Sequence, residues 1–198
     1  MQMDAVTPKI HFDCTLCGEC CCGSMKVFLN SYDLFKMASF LKMNHSDELF
    51  KRHFVILDQG QNTLNLPRIR FKTKPFPFCP HLINDLQEDL GLRGLCSLHK
   101  EHKPLICQLA PFSRKLDLKT GEDEFTYTLP HPGCPGSSGI RVLNIEEEKA
   151  SLAKELDFEK RYYTLLSQNE EDSQFLWSFP LTQTFENLLT AWEKGLKP

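Results

Sequence analysis

Residues 12–23 read Phe12-Asp-Cys14-Thr-Leu-Cys17-Gly-Glu-Cys20-Cys21-Cys22-Gly23. This short run holds five of the nine cysteines of the chain. Thiols at such density bind metal or form disulfides, and either use draws distant parts of a chain towards one point. We therefore expect the fold to be organised around this cysteine run.

The other four cysteines are Cys79, Cys96, Cys107 and Cys134. Nine is an odd number, so a fully disulfide-bonded monomer would leave one thiol over. The first residues, Met-Gln-Met-Asp, show neither the basic nor the apolar region of a secretory signal, which predicts a cytoplasmic location. In a reducing cytoplasm, clustered cysteines indicate metal binding rather than disulfides.

The composition is typical of one globular domain. The chain has 198 residues, of which 41% are hydrophobic, and this is enough to bury a sizeable core. The net charge of −3 argues against general binding to nucleic acid or to an anionic membrane. No apolar run approaches the roughly 20 residues needed to cross a bilayer.

The spacing within the run leaves two kinds of metal centre open. Cys14-x2-Cys17 and Cys17-x2-Cys20 share Cys17, so they cannot act as two independent zinc knuckles. The same spacing holds three corners of a [4Fe–4S] cluster in bacterial ferredoxins, where a remote Cys-Pro supplies a further ligand. Cys79-Pro80 and Cys134-Pro135 are Cys-Pro pairs of this kind. An iron–sulfur cluster is the favoured cofactor, and zinc is the alternative.

Several motifs resemble the CxxCxxCC family of zinc- or iron-chelating proteins, often called YkgJ-like. The resemblance covers about residues 12–136 and is carried by Cys14-x2-Cys17-Gly-x-Cys20-Cys21, Phe78-Cys79-Pro-His-Leu, Gly94-Leu-Cys96, Pro104-x2-Cys107 and Cys134-x-Gly136. It implies eight metal-binding cysteines, namely Cys14, Cys17, Cys20, Cys21, Cys79, Cys96, Cys107 and Cys134. Cys22 is then left over.

The resemblance extends to flagellin lysine N-methylases, which share the cysteine pattern, and it therefore implies a protein-modifying role as one expectation. The chain shows no motif for a methyl donor, so that activity is not transferred to it. It departs from the family at Lys103-Pro104 and Cys107-Gln108, where members usually carry Arg-Pro and Cys-Arg. A role that requires the paired N–H donors of an arginine guanidinium is therefore not expected at Lys103 or Gln108.

The rest of the pattern predicts an α+β fold: a small cysteine-rich, metal-centred domain with a short β-hairpin and flanking helices. Ser31 is expected to cap a helix over 31–42, and Asn144 a helix that opens with three glutamates. A hairpin is predicted from 112–118 and 124–129, and a last helix near 181–194. We expect one domain over 1–198, with a metal-binding core at 12–136 and a helical segment at 144–198.

A possible partner surface is predicted at residues 67–75. Arg68, Arg70, Lys72 and Lys74 alternate with apolar residues or threonine, so one face of a strand here would be wholly basic. Such a face either lies in solvent at a sheet edge or docks an acidic protein partner.

Four histidines lie close to cysteines in the sequence. His99 and His102 fall between Cys96 and Cys107, but their surroundings are charged, and ligation by them is not expected. His81 and His131 each neighbour a Cys-Pro pair and are candidates for hydrogen bonds to metal-bound sulfur.

Three functions fit these observations. The first is an iron–sulfur protein with a redox or protein-modification role. The second is a zinc-stabilised binding module without catalysis, and the third is metal storage or delivery. No nucleotide-binding or hydrolase motif is present, so whether the protein is an enzyme is left open.

Overall fold

The structure is a computed structural model that describes residues 10–23, 25–59, 65–88 and 91–197. Residues 1–9, on which the cytoplasmic prediction rests, lie outside the described residues. The strands, in chain order, are β1 Ile10–His11, β2 Val55–Gln59, β3 Asn65–Ile69, β4 Leu82–Gln87, β5 Gly91–Cys96, β6 Phe112–Leu116, β7 Asp123–Tyr127 and β8 Val142–Leu143. The helices are α1 Ser31–Phe40, α2 Glu48–Lys51, α3 His99–His102, α4 Leu105–Leu109, α5 Ile145–Ser151, α6 Ala153–Gln168 and α7 Phe185–Glu193.

Within the described residues the strands form four separate antiparallel pairs, β1 with β8, β2 with β3, β4 with β5 and β6 with β7. Helices and strands are thus mixed along the chain, which confirms the predicted α+β class. The predicted hairpin is confirmed as β6 and β7, with Gly121 at positive φ in the turn between them.

Helix α1 begins at the predicted residue but is capped one residue earlier. Asn30, not Ser31, is the N-cap, and it forms a capping box with Asp33. The Ser31 hydroxyl is buried and donates to the backbone oxygen of Leu176, so it holds a later segment of the chain rather than its own helix.

The main core lies between helix α1 and the C-terminal helices. Leu34 and Met37 of α1 pack in the same buried cluster as Phe158 of α6 and Leu189 of α7. Cys79 belongs to this cluster, and Cys21 and Cys96 pack against it. The core that the helices form is therefore also one wall of the cysteine-bearing region.

The C-terminal helices α5 and α7 are both capped by polar side chains, and the cap predicted at Asn144 is confirmed. Asn144 accepts a hydrogen bond from the backbone N–H of Glu146, and Thr184 caps α7. The predicted last helix is confirmed as α7, which buries one apolar face made of Phe185, Leu188, Leu189 and Trp192.

Candidate metal centre

The cysteine run is folded back on itself by residues in the left-handed backbone region. Leu16 has φ 57° and Gly18 has φ 78°. Beyond Gly18 the chain makes one 3-10 turn over Glu19–Cys21, closed by a bond from the Cys21 N–H to the Gly18 oxygen at 2.8 Å. These tight turns present successive thiols to different neighbours within a short length of chain.

The β4–β5 hairpin reaches the run through two glycines in contact. A side chain added at Gly94 would place its Cβ 2.4 Å from the Cα of Gly18, so no larger residue fits there without movement of the backbone. The Gly94 N–H also donates to the Leu16 oxygen at 2.6 Å. This contact places Cys96, at the end of the hairpin, beside the run.

The segment that carries Cys79 is attached to the run by backbone hydrogen bonds. The Cys79 N–H donates to the Cys21 oxygen at 2.7 Å, and the Gly23 N–H donates to the Pro77 oxygen at 2.9 Å. Cys79 is therefore held against Cys21 even without a metal bond between them.

Five thiols form a first group whose charges act on one another. Its members, which we call the first thiol group, are Cys20, Cys21, Cys79, Cys96 and Cys107. Ionisation of one member raises the pKa of several others, which shows that they share one region of the protein.

Cys20 and Cys21 act on each other's ionisation. The neighbouring Cys21 thiol lowers the pKa of Cys20 to about 6, and the Cys20 thiol in turn raises the pKa of Cys21. Burial opposes ionisation of both, while the charges of His131 and Lys103 favour the Cys20 thiolate.

Cys79 has the backbone surroundings of a metal ligand. Desolvation raises its pKa to about 11, while hydrogen bonds from the backbone N–H groups of His81 and Leu82 stabilise its thiolate. Such N–H donors to sulfur are a common part of cysteine metal sites. The donor set of the first thiol group thus fits a thiophilic metal.

Cys107 is an exposed residue of α4, but protein surrounds its thiol. Desolvation therefore raises the pKa of this thiol, and the charge of Cys79 is the next largest cause of the increase.

Helix α4 is held by polar contacts of Lys103 and Gln108, the two positions that depart from the family pattern. The Gln108 amide donates to the Lys103 oxygen at 2.9 Å and to Glu155 of α6. The Lys36 ammonium donates to the same Lys103 oxygen at 2.8 Å and pairs with Glu155.

The other three predicted ligands lie around a different loop. Cys14 lines an open cavity together with Pro135. Cys134 is buried in a small apolar cluster with Phe12. The Sγ of Cys17 lies 3.9 Å from Nε2 of His131.

The eight predicted ligands therefore fall into two groups rather than one. Among the described residues, no three cysteine, histidine or acidic side chains stand close enough together to hold a single ion as they are. His131 lies near both Cys17 and Cys20, so the two groups adjoin at this imidazole.

Cys22 lies near Cys17 and Cys20, whose charges raise the pKa of its thiol, but its backbone has a different partner. Its backbone forms an isolated β-bridge with Phe78, and its side chain is half-buried. Desolvation raises its pKa, with a smaller effect from the charge of Glu19.

The histidines have varied surroundings. His81 is buried and stacks on Phe54 with ring centroids 5.3 Å apart; desolvation lowers its pKa to about 4, and its Nε2 has no partner among the described residues. His102 packs against Phe40 with ring centroids 4.9 Å apart. The side chain of His99 lies outside the described part of the chain.

The prediction of one wholly basic strand face at 67–75 is wrong. Strand β3 ends at Ile69, and Arg68 pairs with Asp58 on the neighbouring strand at 2.5 Å. Arg70, Lys72 and Lys74 follow in an exposed segment whose only ladder contact in the described chain is a single bridge from Lys72 to Phe78.

Sequence reasoning did not identify Asp33, Lys36 and Glu155 as residues that position a cysteine. Their contacts with the Cys107 helix and the residues just before it join positions 47 to 72 residues apart, and no local motif marks them. None of the helices in the described residues is long and apolar enough to cross a membrane.

A small α+β domain that brings cysteines together from several segments is a metal-binding domain. The chain belongs to the CxxCxxCC family, whose description is "putative zinc- or iron-chelating domain" and whose model matches residues 13–135. The resemblance found in the sequence is thereby confirmed. No curated protein and no solved structure matches this chain.

Proposed function

We propose that the first thiol group holds an iron–sulfur cluster of the [4Fe–4S] type and that the protein serves a redox or protein-modification reaction. The observation that carries this proposal is the number and spread of the thiols. Five thiols share one region, whereas a tetrahedral zinc ion binds only four ligands. No three of these five thiols are close enough together to bind a single ion. A cubane separates its four thiolates more widely than one zinc ion does.

The surroundings of Cys79 and Cys96 support the same choice. The main apolar core packs directly on both residues, and backbone N–H groups donate to the Cys79 sulfur. An apolar wall and hydrogen bonds to sulfur are two of the means by which proteins set the potential of an iron–sulfur centre. When bound, such a cluster supplies one-electron transfer.

Solvent access is uneven around the group. Cys79 is buried, whereas Cys20 and Cys107 are exposed. Lys103 and His131 place positive charge near Cys20. The exposed side is where a substrate or a redox partner has access, and the buried side anchors the centre.

Metal storage or delivery is a second candidate, because Cys14, Cys17, Cys20 and Cys107 are all exposed. Accessible thiolates exchange metal with external ligands more readily than buried ones do. This function predicts rapid loss of metal to a chelator, whereas a cofactor site would release it slowly.

A zinc-stabilised binding module is a third candidate, and the exposed basic segment is the observation that favours it. Arg70, Lys72 and Lys74 make no ion pair with a described residue, and Phe76 beside them is 54% exposed. Charge complementarity selects an acidic protein segment as the partner. Neutralising the three residues should leave folding intact and abolish salt-dependent binding of an acidic peptide, and unchanged binding would contradict this function.

The deciding experiment is metal analysis with a visible spectrum on protein purified without oxygen. Iron, acid-labile sulfide and a brown colour that is lost in Cys79→Ser but kept in Cys22→Ser would support the cluster. Colourless protein that contains zinc alone would overturn it and leave the binding module as the working function.

A further inference from the structure

The basic side chains at the end of strand β3 lie next to a basic residue of an earlier segment. Phe28 forms an isolated antiparallel bridge with Arg68. Lys26 lies two residues before Phe28 and Arg70 lies two residues after Arg68, so the antiparallel register sets Lys26 opposite Arg70. Residues two apart on a strand point to the same face, so this register gathers the three cations on one side of the strand pair.

Positive charge is therefore concentrated on one surface of a chain whose net charge is −3. We call this surface the basic surface; its members are Lys26, Arg68, Arg70, Lys72 and Lys74. One carboxylate lies among them, because the Asp58 Oδ2 is 3.1 Å from the Lys26 ammonium and 2.5 Å from Arg68. Asp58 neutralises only part of the surface, since its other three cations make no ion pair with a described residue.

The last two cations of the basic surface lie on a closed loop. Lys72 and Phe78 exchange two backbone hydrogen bonds, from the Lys72 N–H at 2.8 Å and from the Phe78 N–H at 3.0 Å. The Lys72 ammonium lies over the Phe78 ring, 5.4 Å from its centroid, and the Phe76 ring lies 5.7 Å from the same centroid. The loop thus presents cations beside an aromatic ring in one arrangement, which lowers the entropy cost of binding.

This loop is joined to the cysteine run. Phe78 pairs with Lys72 on one side and forms an antiparallel bridge with Cys22 on the other. The Gly23 N–H also donates to the Pro77 oxygen at 2.9 Å. Neighbouring strands lie about 4.8 Å apart, so the Lys72 backbone is about 10 Å from that of Cys22. A protein bound at the basic surface would therefore lie beside the first thiol group.

The exposed apolar side chains of this surface indicate a transient protein contact. Phe76 is 54% exposed, and Met25, which precedes Lys26, is 40% exposed. These two side chains supply far less than the roughly 800 Å² per partner of a stable complex, and electron-transfer encounters typically have small interfaces. Charge complementarity selects a partner with an acidic docking face, because opposite charges speed encounter and fix orientation.

We propose that the basic surface is the docking site for an acidic one-electron carrier protein that exchanges electrons with the metal centre of the first thiol group. One electron leaves the reduced carrier, which is thereby oxidised, and the same electron reduces the centre. This inference rests on the proposed iron–sulfur function and names its protein partner. It differs from the binding module because the docked protein is a reactant of the centre.

The probe is a flavodoxin, an acidic protein that carries one electron at a time on its flavin. Calorimetric titration at low salt measures its binding to the metal-loaded full-length protein. The triple variant Arg70→Gln/Lys72→Gln/Lys74→Gln should bind it at least about 10-fold more weakly and with less dependence on salt, because fewer charges remain to attract it. Reduction of the centre by the reduced flavodoxin, followed by visible absorbance, should slow by a similar factor.

A matched control removes the same charge from exposed positions elsewhere; it carries Lys115→Gln, Lys119→Gln and Lys194→Gln. This control should bind flavodoxin as wild type does. Phe76→Ser should weaken binding by about 5-fold and leave the salt dependence unchanged, because it removes an apolar contact but no charge. Iron content should be the same in all three variants.

Wild-type affinity in the triple variant, or an equal loss in the control, would overturn the docking site. Tighter binding of single-stranded DNA than of flavodoxin, or self-association that the triple variant abolishes, would also overturn it, since the surface would then have another occupant. Iron without flavodoxin binding would overturn this inference alone. Binding through these residues in a protein that holds only zinc would overturn the proposed function, and with it the electron exchange.

Discussion

The Asp33 carboxylate accepts a hydrogen bond from the backbone N–H of Leu105 at 2.8 Å, across 72 positions of sequence. Leu105 is the first residue of α4, so its N–H has no partner within its own helix. The other Asp33 oxygen accepts from the Asn30 N–H at 3.2 Å and completes the capping box of α1. One buried carboxylate thus satisfies the starts of two helices and fixes the one that carries Cys107.

Replacement of Asp33 by alanine should lower the free energy of unfolding by about 3 kcal/mol or more. It leaves the N–H groups of Leu105 and Asn30 without their acceptor, at about 1–3 kcal/mol for each buried unsatisfied group. Denaturant unfolding measures the loss. Asp157→Ala, which removes an exposed partner of Arg161 on the surface, serves as the control and should change little; equal losses in the two variants would contradict the capping role.

Asp33 should also make stability depend on pH in an unusual direction. Burial raises its pKa from 3.8 to about 6, and the charge of Lys36 offsets part of this effect. The native state therefore binds the proton more tightly than the unfolded chain does, so this group makes the free energy of unfolding fall as pH rises from about 4 to about 6.

The difference between wild type and Asp33→Asn isolates this effect, because both proteins share every other titrating group. The stability advantage of wild type should be larger at pH 4 than at pH 7, by up to about 3 kcal/mol, since one pKa unit corresponds to about 1.4 kcal/mol. If the stability advantage of wild type over Asp33→Asn is the same at pH 4 and pH 7, or grows with pH, then Asp33 is charged and well stabilised in the fold.

The stability of the protein should depend far more on Glu155 than on Glu146, a glutamate of helix α5. Glu155 pairs with the buried Lys36 ammonium, and Glu155→Ala leaves that charge with Asp33 at 3.4 Å as its remaining ion-pair partner, so we expect a cost of about 3 kcal/mol. Glu146→Ala breaks an exposed pair with Lys149 and should cost less than about 1 kcal/mol. Thermal unfolding of the two variants compares them; similar melting temperatures would show that the Lys36 pair contributes little.

Gly94→Ala should disrupt the centre itself. The added methyl group would meet the Gly18 backbone at 2.4 Å, so either the hairpin or the cysteine run must move. We expect poor metal loading together with reduced stability, assessed by metal content per chain. Gly91→Ala, at φ 71° with open space around it, should cost about 1–2 kcal/mol and leave metal loading unchanged. Normal loading of Gly94→Ala would show that the close approach of the two glycines is not required.

Cys22 should be the dispensable member of the run. Cys22→Ser should keep its metal, while Cys79→Ser or Cys107→Ser should lose the metal of the first thiol group and much of the stability that it contributes. Metal content and unfolding of the three variants check this. Loss of metal from Cys22→Ser as complete as from Cys79→Ser would show that Cys22 is a ligand.

Local patterns predicted local structure well. Asn144 caps its helix as expected, and Gly121 lies in the turn of the predicted hairpin, because capping and turn geometry involve neighbours within a few residues. The basic stretch shows the limit of such patterns. Alternation predicted a strand beyond Ile69, but Ile69 pairs with Val55, the first residue of the partner strand, and the ladder ends there. Alternation in one segment carries no information about where its partner strand begins.

The sequence alone identified the zinc- or iron-chelating family and predicted metal binding through the cysteines, because x2 spacings and glycine or proline turns bring thiols together within a few residues. The tertiary structure alone decided which thiols are neighbours. Cys79, Cys96 and Cys107 meet Cys20 and Cys21 because Gly94 fits against Gly18 and Asp33 holds α4. His131 reaches Cys17 through a loop 114 residues further along the chain. Contacts across such distances depend on the packing of the whole core, and no spacing within the sequence encodes them.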